Sequence, residues 1–151
     1  MSAGNPFHDP LRFGRRVPEC AVVIFGAHGD LTRRKLAPAL YRLFSERRLS
    51  AGFAVAGVSR TPMSDEQFRD RLREAVAAGG DGPFESGVWE SFAQRIFYVA
   101  GDVGDAGMYA SLAARLAEIE HDRHTGGNVL FYLSTQPSQY APAALGLGAA
   151  G

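Results

Sequence analysis

The chain has 151 residues, 46% of them hydrophobic and 21% charged, which is enough for one domain with a real core. Sixteen basic residues balance sixteen acidic ones, so the chain as a whole carries no nucleic-acid footprint. A single cysteine excludes an intrachain disulfide, no apolar stretch approaches a membrane span, and the polar N-terminus is no signal peptide, so the expectation is a cytoplasmic protein without a membrane partner.

The charge is unevenly spread. Residues 1–60 hold ten Lys and Arg against four acids, a local excess of +6 that the rest of the chain cancels. A positive segment suits a ligand that bears phosphate, although scattered surface arginines give the same count.

Residues 1–19 are polar, with three prolines, and read as an extended arm. Four short apolar runs follow, at residues 21–25, 53–58, 96–100 and 129–133. They are continuous rather than alternating and rich in Val, Ile and Phe, as in strands of a parallel sheet buried on both faces. Helical spacing lies between them. Leu36, Leu40 and Phe44 recur every four residues, with Pro38 predicting a kink or restart. Ser64 and Gln67 form a capping box ahead of Phe68, Leu72 and Val76. Residues 78–83 read as a loop, residues 85–93 as a short helix, and Met108, Leu112, Leu116 and Ile119 mark one face of another helix. The order predicts an α/β fold: a doubly wound, Rossmann-like, mostly parallel sheet with helices on both faces, spanning residues 20–151. The last helical segment, residues 140–151, ends in an Ala/Gly-rich tail where such folds add another strand, so a domain truncated at its C-terminus is expected.

The first strand runs into GAHGDLTRRK, a strand–turn–helix sequence. Gly26 permits a sharp turn and Gly29 close approach to an oxyanion. The N–H groups of residues 29–32 and the helix dipole then favour a pyrophosphate. Two glycines alone are a weak motif; their place between a buried strand and a helix strengthens it over a merely structural turn. Asp30 has the wrong charge for phosphate and is expected to cap the helix. Lys35 and Arg33 are placed to reach phosphate from the first helix, with a solvated helix face as the alternative, and for Arg34 that alternative is preferred. The second strand ends Ser59-Arg60-Thr61, with no carboxylate for a ribose 2′-hydroxyl. A guanidinium flanked by hydroxyls suits a 2′-phosphate instead, so NADP is the expected cofactor. After the third strand, Asp102 can accept from an adenine amino group while Val103 backs the ring; an Asp before a helix can equally be a cap. His121, Asp122 and His124 read as the polar end of a helix rather than a metal site.

Together these residues resemble the N-terminal coenzyme domain of the glucose-6-phosphate dehydrogenase family. The stretch VIFGAHGDLTRRKLAPALYRLF, residues 23–44, carries the likeness, with Gly57-Val58-Ser59-Arg60, Trp89 and Phe92, Gly101-Asp102-Val103, NVLFYLSTQP at residues 128–137, and Tyr140. The resemblance implies an NADP-linked oxidation of glucose 6-phosphate to 6-phosphogluconolactone, at the entry to the pentose phosphate pathway. It implies that Gly26, Gly29 and Leu31 lie in the pyrophosphate turn and that Arg60 binds the 2′-phosphate. Asp102 and Val103 would border adenine, and Tyr140 would approach the nicotinamide end. The chain departs from the pattern at Gln136, where the family has Pro, and at His28, which either donates to phosphate or simply tolerates solvent. The family's E-K-P-F-G and D-H-Y-x-G-K segments, which supply the substrate lysines and the histidine base, are not in this chain. No catalytic residue is therefore assigned, and glucose 6-phosphate and homo-oligomer formation are expected only through a missing domain. The rival reading is a stand-alone NADP-binding module without chemistry.

Overall fold

A computed structural model describes residues 18–79, 82–135 and 137–150. Most of the predicted arm, two residues of the predicted 78–83 loop, Gln136 and Gly151 lie outside the described residues.

Four strands, β1 (Cys20–Phe25), β2 (Phe53–Ser59), β3 (Ile96–Ala100) and β4 (Val129–Leu133), form one parallel sheet in the order β3-β2-β1-β4. The helices are α1 (Ala37–Ser45), α2 (Asp65–Gly79), α3 (Ser86–Ala93), α4 (Ala106–Arg123) and α5 (Tyr140–Ala150). Parallel strands need crossovers, and these helices supply them on both faces of the sheet. Side chains alternate along each strand, so the sheet splits the core in two. Cys20, Val22, Ile24, Phe53, Val55, Ile96 and Tyr98 face α1, α2 and α3. Val23, Phe25, Ala54, Ala56, Val58 and Val99 face α4.

Local sequence explains the main joints. Ser64 and Gln67 cap α2 reciprocally: Gln67 N–H donates to Ser64 Oγ at 3.1 Å, and Ser64 N–H to Gln67 Oε1 at 2.9 Å. Asp65 then receives the Tyr98 N–H at 2.8 Å, satisfying the outer edge of β3, and pairs with Arg115 of α4. Pro38 produces a restart. The chain makes a π-helical turn over Thr32–Leu36, closed by Ala37 N–H donating to the Thr32 carbonyl, and α1 begins with proline in its first turn. Trp89, 3% exposed, sits among Tyr41, Phe84 and Phe92 with ring centroids 5.6–6.2 Å away.

One expectation is corrected. β4 is not buried on both faces: Val129, Leu130, Phe131 and Tyr132 are all exposed, Leu130 by 59%. The strand pairs only with β1 and forms the edge of the sheet among the described residues. Leu145 of α5 is a further exposed apolar residue, at 75%.

Candidate functional site

The strand order reverses between β1 and β4: β2 and β3 lie to one side of β1, and the chain then returns to place β4 on the other. In an open parallel sheet this is where the loops at the carboxyl ends part and leave a crevice. Here the crevice holds about 660 Å³ and is walled by the turn after β1, the ends of β2, β3 and β4, and the start of α5.

The turn begins at Gly26, whose φ of +80° is a conformation that side chains rarely adopt. A Cβ there would stand 2.2 Å from the Ser134 carbonyl oxygen, so glycine is required by space as well. Gly26 and Ala27 both donate to the Val58 carbonyl, at 2.9 and 3.1 Å, which pins the turn to β2. Thr32, 1% exposed, donates its hydroxyl to the Gly26 carbonyl at 3.3 Å. The Gly29 N–H is already taken by the Gly26 carbonyl at 3.0 Å. The donors free for an anion therefore start one residue later than the sequence suggests, in the first helical turn.

Of the eleven residues that the sequence nominates, Gly26, His28, Gly29, Leu31, Ser59, Arg60, Asp102, Val103 and Tyr140 line this crevice. Asp30 and Lys35 do not. The Asp30 carboxylate accepts from Arg33 at 2.9 Å on the surface rather than capping backbone N–H groups. Lys35 lies beside two other surface depressions with Arg34, because helical rotation carries it away from the turn's open side.

Arg60 projects from the end of β2, exposed and in no ion pair among the described residues. Its loop is fastened by Tyr98, whose hydroxyl donates to the Thr61 carbonyl and lies 3.3 Å from that of Ser59; burial pushes this phenol's pKa up. Thr61 N–H donates to Ser59 Oγ at 3.2 Å. The cap of α4 is Asp105, which accepts from Gly107 N–H at 2.9 Å. Asp102 is thus not consumed as the helix cap; its Oδ1 accepts from Gly104 N–H in a longer 3.3 Å contact.

Sequence reasoning missed the wall contributed by the end of β4. Ser134 and Thr135 line the crevice, and Ser134 Oγ and Thr135 Oγ1 are shielded from solvent without a hydrogen-bond partner. His28 Nδ1 is in the same state. Five buried side-chain polar atoms lack partners among the described residues, and three of them border this one crevice. Buried polar atoms are costly unless paired, so such clustering marks a place where a polar ligand completes the bonding. Hydroxyl residues after a strand are commonplace, and only the folded structure distinguishes these two.

A parallel sheet with a glycine turn at its switch point defines a dinucleotide-binding domain. A family model described as "Glucose-6-phosphate dehydrogenase, NAD binding domain" matches residues 23–151. The chain is 46% identical over 124 residues to glucose-6-phosphate 1-dehydrogenase of Chlamydia muridarum (strain MoPn / Nigg), covering 82% of this chain and 24% of that protein. It is 32% identical over 127 residues to the protein of that name from Bacillus subtilis (strain 168), covering 84% of this chain and 25% of the relative. A solved glucose-6-phosphate 1-dehydrogenase from Mycobacterium avium superposes with a TM-score of 0.75 at 36% identity, over 88% of this chain and 27% of that one. A glucose-6-phosphate dehydrogenase solved with glucose 6-phosphate gives 0.77 at 26% identity, over 88% and 28%. The chain belongs to the glucose-6-phosphate dehydrogenase family, through that family's NAD-binding domain. It spans about a quarter of the length of the relatives it matches.

Proposed function

We propose that this chain binds NADP, as the coenzyme domain of an enzyme that oxidises glucose 6-phosphate to 6-phosphogluconolactone. The observation that carries the reading is the crevice itself: a glycine turn, together with a guanidinium and three buried polar atoms that have no partner among the described residues, meets at the switch point of the sheet.

Gly26 and Gly29 let the backbone approach the pyrophosphate, with Leu31 in the first turn beyond them. Arg60, beside Ser59 and Thr61, takes the 2′-phosphate. Asp102 and Val103 border adenine, and Tyr140 stands toward the nicotinamide half, with Ser134 and Thr135 as further donors. NADP, when bound, supplies the nicotinamide that accepts hydride from the sugar's C1. These residues bind and orient the coenzyme; the base and the substrate's phosphate ligands belong to segments not in this chain. Glucose 6-phosphate and a homo-oligomeric partner are engaged through those segments. We place this enzyme of sugar metabolism in the cytoplasm on the family resemblance; among the described residues no helix is long and apolar enough to cross a membrane.

The test is calorimetric. Arg60→Ala should weaken NADP binding roughly 10- to 150-fold, the range of one charge-assisted contact, and hardly change NAD binding. Equal losses for both coenzymes would remove Arg60 from the 2′-phosphate.

A further inference from the structure

The imidazole of His28 stands in the glycine turn, between Gly26 and Gly29, on the wall of the crevice. Its Nδ1 is cut off from solvent and has no partner among the described residues. Cations surround it. Arg71 of α2 reaches the turn and donates from Nη2 to the His28 carbonyl at 3.4 Å. Arg33 stands on the π-helical turn, with its guanidinium on Asp30. The nearest acid along the chain is thus already engaged. The other ionisable groups on the crevice wall are Arg60 after β2, Asp102 after β3, Tyr132 of β4 and Tyr140 of α5. Burial first, then Arg71 and Arg33, hold the imidazole below its usual pKa of 6.5, so it is neutral at pH 7 in the free chain.

A diphosphate brings two negative charges into the same turn. With Arg33 already on Asp30, it offsets the guanidinium groups at the imidazole and offers acceptor oxygens to the ring N–H of the cationic form. We propose that His28 takes up a proton as the coenzyme's pyrophosphate occupies the turn, so that coenzyme capture strengthens on mild acidification. The inference rests on the coenzyme reading above. Its sign follows from linkage. A group whose pKa rises on binding makes affinity climb as pH falls through the bound-state value, and the climb stops once the free form is protonated too.

The experiment is titration calorimetry of the chain with NADP between pH 5.8 and 7.8, in buffers of different ionisation heat, for the unaltered protein, His28→Gln and His28→Ser. The 2′-phosphate titrates near pH 6 as well, but equally in all three proteins, so the comparison between them isolates His28. The unaltered chain should take up a larger fraction of a proton than either variant. Its affinity relative to His28→Gln should rise roughly 3- to 10-fold across the range, the most that a tenfold tighter hold on the proton permits. Equal proton uptake with a constant affinity ratio would overturn the role of His28 and leave the coenzyme site standing. No NADP binding by the unaltered chain at any pH would overturn both. Nuclear magnetic resonance of the unaltered chain checks the same point without a variant: the His28 ring signals should titrate below pH 6.5 when free and at higher pH with NADP. An unmoved midpoint refutes the proposal.

Discussion

Gly26 and Gly29 bound one turn but answer to different constraints. Gly26 is fixed by backbone conformation and by the Ser134 carbonyl against it, so Gly26→Ala should cost the fold at least ~1–3 kcal/mol, seen as a lower melting midpoint. Gly29 has no left-handed φ, and a Cβ there meets only the Gly26 carbonyl, at 3.2 Å. Gly29→Val should therefore leave the chain folded by circular dichroism while abolishing binding of both coenzymes. A bound, folded valine variant would show that ligand backbone contact at this position is not needed. This turn was legible in the sequence because glycine spacing after an apolar run has few other uses. Lys35 shows the limit of that reading. It is the chain's only lysine and lies close to the turn in sequence, yet rotation about the helix turns it to another face. Ser134 and Thr135 were invisible for the opposite reason, since nothing in their identity tells a buried hydroxyl from an exposed one.

At the scale of elements, the sheet depends on α2 lying close against β2 and β3. Phe68 makes that contact, fully buried, with its ring 5.0 Å from that of Tyr98 and over the space that Gly57 leaves open. Phe68→Ala should cost about 3–5 kcal/mol in chemical denaturation, and it should also loosen the Tyr98 clasp on the Arg60 loop. A loss below about 1 kcal/mol would mean that α2 repacks freely over the strands. The elements themselves were readable. Each apolar run became a strand, and the Ser64–Gln67 box opened a helix. The runs could not reveal which strand sits at the edge, because the composition of Val129–Leu133 is that of an interior strand. Nor did Pro38 announce a π-helical turn ahead of it, since proline removes a donor without dictating how the preceding turn is wound.

At the scale of the molecule, β4 is an exposed apolar strand at the edge of the sheet among the described residues, and an unpaired strand edge is a template for association. Sedimentation velocity of this chain should show concentration-dependent association. Leu130→Lys, which sets a charge on the most exposed residue of the strand, should reduce it. A monodisperse monomer at high concentration would show that the edge is harmless. Activity belongs to this scale too. Without a positioned base a hydride transfer loses roughly 10²–10⁴-fold, and loss of substrate positioning costs more. Residues 1–151 should therefore form no measurable NADPH from glucose 6-phosphate, even with NADP bound. Turnover that follows the chain through purification would place the chemistry here after all. The burial of Trp89 has an optical consequence for all such work. It is the chain's sole indole, carried by α3, held among the rings of Tyr41, Phe84 and Phe92 and outside the crevice wall. Its emission records whether that cluster is intact, so the folding of each variant can be read by fluorescence before any coenzyme is added.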